Sequence, residues 1–249
     1  DIEYFGNPGV VVSEDGVSWC LPQGRKSPVV APPSDWTGYN SDPSLFYENG
    51  TVFLIYREVR EEKGCLMISV YVMETRDGIS WSAPKALISL RNPTDRAGVL
   101  MSPSVLRLGE KYYAWYVDEE SGIFEIKRAE CPELSSIANG VKVELNGMPD
   151  GLMTWHIDVE QDNGRLLMAL CARNGDGRHS ILFAESRDLG INWRIIEGKR
   201  LDPIRESGED SLYKAALAKS EKHSCWKLYY SYKDLEGHWY TVTEKSLHI

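Results

Sequence analysis

Short apolar runs follow one another in pairs along this chain, and a tight polar turn joins the two members of each pair. In the first pair, Asn49-Gly50 separates the apolar residues of 42–47 from those of 51–56. Asn-Gly between two such runs is a strong hairpin signal, because both residues accept the positive φ that a two-residue turn requires. The pattern predicts two antiparallel β-strands at this position.

The hairpin pattern recurs at a nearly constant spacing. It returns at residues 102–116 and 156–170 and, more loosely, at residues 213–232, so that the starts lie 60, 54 and 57 residues apart. A third apolar run follows the hairpin, and no long stretch has convincing helical periodicity. A period of about 56 residues is typical of a four-stranded propeller blade with its loops.

A second motif recurs along the chain, in two of its copies directly after a third strand. It consists of a small polar residue, then Asp, Gly and a following Trp, and its Asp residues are Asp15, Asp77 and Asp188. Asp hydrogen-bonds to nearby backbone N–H groups and Gly accepts positive φ, so the motif predicts a turn. We interpret the three Asp residues as structural residues on the periphery of the blades.

These patterns predict an all-β fold: a β-propeller of four-stranded antiparallel blades, organised as a single domain over residues 1–249. Four repeats are visible, and residues 10–19 and 238–244 supply further strand-like runs. Two arrangements stay open, four blades plus a partial fifth or four blades with a doubled closing strand. We favour five blades with the termini closing the ring, because pairing the termini within one blade removes the open sheet edges.

The composition is ordinary for a soluble globular protein, and its charge narrows the choice of partner. The net charge of −9 argues against nucleic acid, which needs clustered Lys and Arg. The aromatic residues comprise 8 Trp and 13 Tyr against 5 Phe, and rings with a polar edge suit stacking on sugars as well as packing between blades. We therefore predict a carbohydrate ligand, no nucleic-acid partner and no membrane insertion, and leave the oligomeric state open.

The cysteines are odd in number and scattered, without the spacing of a metal site. Cys65, Cys171 and Cys225 lie beside or within apolar runs, so the pattern favours buried free thiols over disulfides. The apolar runs reach only about six residues, which is too short for a transmembrane helix. No signal peptide is visible in a chain that begins at Asp1, and a cytoplasmic, extracellular or virion-associated location is left open.

The chain resembles the five-bladed β-propeller glycoside hydrolases, especially family 43 and its fructan-cleaving relatives of family 32. The resemblance covers residues of about 36–240 and rests on Asp42-Pro43-Ser44, on Ile157-Asp158-Val159 and on the acidic segment 205–210. It implies a central pocket in which carboxyl groups hydrolyse glycosidic bonds. In that pocket Asp42 matches the base, Asp158 the residue that tunes the acid, and Glu209 the acid, with Glu206 as the alternative acid.

Inverting glycoside hydrolysis needs two carboxyl groups about 6.5–9.5 Å apart, one of them ionised and the other protonated. The inner strands of a propeller converge on one axis, so residues far apart in the sequence can share such a pocket. We expect polar and aromatic residues near the same strand ends to bind the substrate. These candidates are Trp36, Tyr39, Arg57, Ser102, Trp155, His156, Arg173 and Tyr213.

Other functions stay open, because one fold hosts many unrelated activities. The first alternative is a non-catalytic glycan-recognition module of a surface or viral protein, and the second is a purely structural interaction module. A sialidase-type carboxylate clamp of Arg57, Arg96 and Arg173 is disfavoured, because the Arg-Ile-Pro signature near the N-terminus is missing. No cofactor or metal is predicted. A central calcium ion is compatible with the resemblance, but no ligand spacing requires one.

Overall fold

The computed structural model describes residues 6–24, 27–32, 38–92, 100–120, 122–134, 137, 140–220 and 225–247. In these residues the protein is all β, and helical structure is limited to short 3-10 segments such as Arg205–Ser207. The chain divides into two compact units. Unit 1 contains residues 1–114, 118–123 and 129–140, and unit 2 contains residues 115–117, 124–128 and 141–249.

Sheet 1 belongs to unit 1, and its antiparallel strands lie side by side in chain order. Asn49 and Gly50 have φ values of 48° and 79°, as the predicted two-residue turn requires, so the first hairpin is confirmed. The strands are β1 (Gly38–Glu48), β2 (Thr51–Glu62), β3 (Cys65–Thr75) and β4 (Lys85–Asn92).

Sheet 2 has the same order of four strands, and its first strand packs beside β1. Gly109, with a φ of 64°, lies in the turn between its first two strands. The strands are β5 (Met101–Leu108), β6 (Lys111–Glu120), β7 (Ile123–Cys131) and β8 (Val141–Lys142).

Sheets 3 and 4 belong to unit 2. Sheet 3 has the order β10-β11-β12-β13-β9, in which β9 joins the outer edge parallel to β13. Sheet 4 has the order β14-β15-β16. The strands of sheet 3 are β9 (Glu144–Asn146), β10 (Leu152–Asp162), β11 (Arg165–Asn174), β12 (His179–Ser186) and β13 (Asn192–Leu201). Those of sheet 4 are β14 (Glu209–Ser220), β15 (Cys225–Asp234) and β16 (Trp239–Leu247).

The core of unit 2 lies between sheets 3 and 4. Every residue from 166 to 172 on β11 is buried, because both faces of this strand are covered. Burial of apolar surface stabilises the packing by roughly 25 cal/mol per Å² and holds the inner strands β10 and β14 next to each other. The buried contact is formed by Leu167, Ala169, Ile181 and Phe183 of sheet 3 and by Leu212, Leu217 and Leu228 of sheet 4.

The Asp-containing turns are local hydrogen-bonded structures, as predicted. Asp77 Oδ1 accepts hydrogen bonds from the backbone N–H groups of Ile79 and Ser80 at 2.8 and 2.7 Å. The Asp188 turn is built in the same way, and its Trp193 is buried, with 1% of its surface exposed. Because the Asp77 and Asp188 side chains bond to their own turns, the interpretation of these residues as structural is confirmed.

The prediction of five blades is wrong for the described residues, which form four sheets. Residues 10–19, predicted to include a strand, make a single bridge between Val12 and Cys20. Asp15 Oδ1 accepts hydrogen bonds from the backbone N–H groups of Val17 and Ser18, so this segment satisfies its backbone locally instead of joining a sheet. Sheet 4 consists of β14, β15 and β16 without a described N-terminal strand, and the single domain stays a prediction.

The thiols follow the prediction only in part. All five cysteines are free, and of the three predicted to be buried, Cys171 is buried whereas Cys65 and Cys225 are half-buried. Cys131 is also buried, and Cys20 is exposed. Separately, none of the helical segments in the described residues has the length and hydropathy needed to cross a membrane.

Candidate functional site

Asp42 lies in a β-bulge of β1, where the pairing with β2 shifts between Ser41 and Ser44. Asp is one of the few non-glycine residues that adopt left-handed conformations, and Asp42 has a φ of 54° although the following Pro43 favours extended backbone. Bulges change the direction of a side chain, and the Asp42 side chain is buried, with only 6% of the residue exposed.

The Asp42 carboxylate contacts an arginine and two serines, one of which is its neighbour Ser41, whose hydroxyl donates a hydrogen bond to Oδ2 at 3.2 Å. Arg57 Nε lies 3.1 Å from Oδ2, and the Ser102 hydroxyl donates a hydrogen bond to Oδ1 at 3.4 Å. Ser102 occupies the corresponding position of β5, since it also has positive φ (49°) and precedes a proline. A carboxylate held by a guanidinium is negatively charged, which is the form that a general base needs. Three predicted site residues therefore come together in unit 1.

Of the other residues predicted near Asp42, the structure describes only Tyr39. Tyr39 is half-buried on β1, opposite Val59 of β2. Trp36 and Arg96 lie outside the described residues. The roles of Trp36 and Tyr39 in binding substrate stay predictions.

Unit 2 brings four predicted residues together around a second bulge, at Trp155 of β10. His156 Nε2 and the Tyr213 hydroxyl of β14 are hydrogen-bonded at 2.6 Å, and the His156 ring packs edge-on against the Trp155 and Tyr213 rings. The Arg173 guanidinium lies 4.7 Å from the centre of the Trp155 ring. With His179, these residues form what we call the aromatic–histidine cluster: Trp155, His156, Arg173, His179 and Tyr213.

His179 begins β12 and joins the cluster through its ring, whose centre lies 5.8 Å from that of Trp155. Its backbone N–H donates to Ser211 Oγ at 2.9 Å, and its Nδ1 lies 3.0 Å from the same hydroxyl. Burial, and then the positive charges of Arg173 and Lys233, lower the pKa of His179 to about 4. The imidazole is therefore neutral at physiological pH.

Three acidic residues alternate along β10, at Asp158, Glu160 and Asp162, and so lie on the strand face that also carries His156. Asp162 is charge-compensated, with Lys219 Nζ 3.0 Å from its carboxylate. In the part of the chain that the structure describes, no Lys or Arg nitrogen lies within 4 Å of the Asp158 or Glu160 carboxylates. Asp158 and Glu160 therefore form a pair of carboxyl groups without an ion-pair partner in the described residues, and the charge of Lys214 partly offsets that of Asp158.

Burial perturbs the proton affinity of this pair. Asp158 Oδ2 accepts a hydrogen bond from the backbone N–H of Leu217 on β14 at 2.8 Å, yet burial raises the pKa of Asp158 to about 6. Burial first, and then the charge of Asp158, raise the pKa of Glu160 to about 8. The two groups titrate as a pair, which keeps a proton at neutral pH, as a general acid must.

Glu209, predicted as the acid, begins β14 and contacts the loop before it. Its Oε2 accepts a hydrogen bond from the backbone N–H of Ile204 at 2.8 Å, which closes the turn around Arg205–Ser207. Glu206, the alternative acid, is exposed within that turn. Asp42 lies in unit 1 whereas Asp158 and Glu209 lie in unit 2, so the convergence of the three on one pocket stays a prediction.

Sequence reasoning missed two members of this region, Glu160 and His179. Glu160 could have been found from the period of two that relates it to Asp158 on a strand. His179 follows the loop 175–178 without any local signal, because its partners come from β10 and β14.

A third group of polar side chains lies in the β15–β16 loop. The potential metal ligands of Asp234, Glu236 and His238 lie within 4.8 Å of one another. Asp234 Oδ1 already accepts hydrogen bonds from the backbone N–H groups of Glu236 and His238, at 2.9 and 2.8 Å. These hydrogen bonds show that the Asp234 side chain closes the turn, which explains why the three side chains lie close together.

The carboxyl pair predicts how stability changes with pH. The pKa of Glu160 is raised from 4.5 to about 8, so the folded protein keeps a proton that the unfolded chain releases, and stability falls as pH rises towards 8. We expect the free energy of unfolding to fall by about 1–2 kcal/mol between pH 7 and 9 because of this group. His179 has the opposite effect: its pKa is lowered from 6.5 to about 4, so its contribution increases stability as pH rises from about 4 to about 6.5. Measurements between pH 7 and 9 lie above that range.

Urea unfolding of the wild-type protein and of Glu160→Gln at pH 7, 8 and 9 would measure this dependence. The Gln variant should lose most of the decline between pH 7 and 9. Parallel curves for the two proteins would show that Glu160 titrates normally.

Comparison with known proteins places these elements in a familiar fold. No protein-family model matches the chain. Among curated proteins, it is 21% identical over 84% of its length to a protein named A type blood N-acetyl-α-D-galactosamine deacetylase, from Flavonifractor plautii. The chain spans about a third of that protein's length, as the match covers 32% of it.

Solved structures give more extensive matches. An N-acetylgalactosamine deacetylase from F. plautii, solved in complex with blood group B trisaccharide, matches 95% of this chain and 80% of its own, at 16% identity and a TM-score of 0.81. An α-L-arabinanase from Cellvibrio cellulosa matches 95% and 85% at 14% identity and a TM-score of 0.62. A xylan β-1,4-xylosidase from Bacillus halodurans C-125 matches 84% and 41% at 18% identity and a TM-score of 0.62.

These likenesses concern the fold. They confirm the predicted β-propeller of antiparallel blades and the resemblance to the propeller glycoside hydrolases. At such low identity the individual site residues stay predictions.

Proposed function

We propose that this protein is a hydrolase that acts on carbohydrate and cleaves a glycosidic bond by general acid–base catalysis. The observation that carries this proposal is the Asp158–Glu160 pair, two carboxyl groups with raised pKa values and no ion-pair partner in the described residues, on the strand face that also presents His156. Strongly perturbed titratable groups are concentrated at functional sites, and a group that keeps its proton at neutral pH can protonate a departing sugar oxygen.

Within the pair, Glu160 is our candidate for the acid and Asp158 for the residue that tunes it. The negative charge of Asp158 disfavours ionisation of Glu160, which is the second cause of the raised Glu160 pKa after burial. Glu209 is the alternative acid, although its hydrogen bond to the Ile204 backbone ties it to its own loop.

Asp42 is our candidate for the base. Arg57 and Ser102 hold its carboxylate in place, and its charged form can accept a proton from water. An inverting reaction requires about 6.5–9.5 Å between this carboxylate and the acid, and a retaining reaction requires about 5–5.5 Å.

The aromatic–histidine cluster is our candidate for the substrate-binding surface. Trp155 and Tyr213 offer apolar ring faces for stacking on the C–H face of a sugar, and both carry a polar group at the ring edge. His156 is fixed by its hydrogen bond to Tyr213, so its ring orientation is set before substrate binds. Such preorganisation lowers the entropic cost of binding.

A second candidate reaction is removal of an N-acetyl group from an amino sugar. It is favoured by the high structural similarity to the F. plautii deacetylase, whose TM-score of 0.81 exceeds those of the two hydrolases compared above. Amide hydrolysis would use the same proton-donating pair, since an amide nitrogen must also be protonated as it leaves.

A substrate panel tests the proposal. Purified protein would be incubated with chromogenic arabinosides, xylosides, galactosides, N-acetylgalactosaminides and fructans, and both reducing sugar and acetate would be measured. We expect release of the aglycone or sugar from at least one substrate. Acetate alone would support the deacetylase candidate, and glycan binding without either product would support the recognition module. If the protein neither turned over nor bound any member of the panel, the proposal would be contradicted.

A further inference from the structure

Arg173 is placed at the aromatic–histidine cluster by its position on β11. It lies opposite Met153 of β10 and His179 of β12 in the strand register. Its guanidinium carbon lies 4.7 Å from the centre of the Trp155 ring, which is a cation–π contact. The contact places the positive charge of Arg173 at the Trp155 ring.

The charge of Arg173 is not compensated in the described residues, where no carboxylate lies within 4 Å of it. The neighbouring cations differ in this respect. Arg178 Nε lies 3.3 Å from Asp210 Oδ1, and Lys233 Nζ lies 3.5 Å from Asp210 Oδ2. The protein has a net charge of −9, so acidic side chains are plentiful, yet none of the described ones pairs with this guanidinium. Its charge is therefore available to a negatively charged ligand.

Two more polar atoms beside Arg173 have no hydrogen-bond partner among the described residues. They are Nε1 of Trp155 and Nε2 of His179, and both are shielded from water. Buried polar atoms in native proteins are paired in more than about 90% of cases, and the exceptions require an explanation. When the Ser211 hydroxyl donates to Nδ1 of His179, the neutral ring carries its proton on Nε2 and both unpaired atoms are donors.

We propose that Arg173, Trp155 and His179 form a subsite for an anionic substituent of a sugar, either a carboxylate or a sulfate ester. The inference rests on the proposed function only in that the protein must bind carbohydrate. A guanidinium recognises planar carboxylates and sulfate oxygens with paired N–H groups, and the indole and imidazole N–H groups supply two further donors.

A neutral sugar would use this subsite less well. Its hydroxyl groups could accept hydrogen bonds from Trp155 and His179, but the positive charge of Arg173 would lose water without gaining an opposite charge. Desolvating a charge without a counter-charge is costly, whereas an anion compensates it. The subsite therefore favours acidic over neutral glycans.

The test is a binding comparison with ligands that differ only in charge. Isothermal titration calorimetry would use three oligosaccharides of one backbone: neutral, carrying a uronic acid, and carrying a sulfate ester. We expect the wild-type protein to bind at least one acidic ligand about 10–100-fold more tightly than the neutral one, and salt to reduce that preference. Comparison of the two acidic ligands identifies which anion is preferred.

Two variants with the same change of charge separate the subsite from general electrostatics. Arg173→Gln should remove the preference, so that the acidic and neutral ligands bind this variant with similar affinity. Arg178→Gln removes a neighbouring arginine that Asp210 compensates, so it should keep the preference. Circular dichroism would confirm that both variants are folded.

The binding results distinguish failure of the subsite from failure of the proposed function. Equal affinity of the wild-type protein for neutral and acidic ligands, or equal effects of the two substitutions, would overturn the subsite and leave the proposed function standing. Absence of binding to all three ligands, together with no turnover in the substrate panel, would overturn both.

Discussion

Glu160→Gln is expected to lower turnover by about 10²–10⁴-fold, the usual contribution of a positioned general acid. Gln has nearly the shape of the protonated carboxyl group but cannot give up a proton. The fold should persist, because Glu160 is uncompensated by any described cation and its replacement removes a buried ionisable group. The measurement is kcat and kcat/KM on the best substrate of the panel, between pH 5 and 9.

The pH profile separates proton donation from a structural role. The acid must be protonated, so wild-type activity should decline above a pH near 8, the pKa of Glu160. The alkaline decline should disappear in the residual activity of Glu160→Gln. Asp158→Asn should move it to lower pH, because the Asp158 charge contributes to the raised pKa.

Glu209→Gln is the matched control, since it makes the same chemical change in the same unit. Its side chain accepts a backbone hydrogen bond that the Gln oxygen can also accept, so we expect less than a tenfold loss of turnover. A large loss in Glu209→Gln with full activity in Glu160→Gln would instead assign the acid role to Glu209.

The strands of this protein could be predicted from sequence because their signals are local. Asn49-Gly50 and Asn163-Gly164 take the positive φ values that their turns require, and the alternating runs on either side form the hairpins. The number of blades could not be predicted in this way. Residues 10–19 contain the same Asp-containing turn that follows the third strands of sheets 1 and 3. No apolar hairpin precedes this copy, so the segment has no neighbouring strand to pair with and forms only the Val12–Cys20 bridge.

The candidate site could be predicted only where a residue belongs to a repeated motif. Asp42 and Asp158 each lie on the first strand of a predicted hairpin, and both are structurally unusual, Asp42 by its bulge and Asp158 by the raised pKa of its carboxyl group. Glu160 and His179 lie outside any motif. Their importance depends on burial against β14 and on neighbours that are distant in sequence, which single-sequence patterns do not encode.

The second large effect concerns stability, and we expect it at Gly190 in the Asp188 turn. Gly190 has a φ of 75°, and its carbonyl oxygen accepts hydrogen bonds from the indole N–H groups of Trp193 and Trp115 at 3.0 and 3.3 Å. The two rings are almost fully buried and meet edge-on. A Cβ atom at position 190 would lie 2.4 Å from Trp115 Nε1, too close for any real contact.

Gly190→Ala should therefore reduce the free energy of unfolding by about 2–5 kcal/mol. About 1–2 kcal/mol comes from the left-handed backbone and about 1–3 kcal/mol from displacing a packed tryptophan. Gly78 in the Asp77 turn is the control, because its φ is 70° but nothing lies within 4 Å of its Cβ position, so Gly78→Ala should cost only the backbone contribution. Urea unfolding monitored by tryptophan fluorescence measures both. Similar losses in the two variants would mean that the contact of Gly190 with Trp115 does not stabilise unit 2.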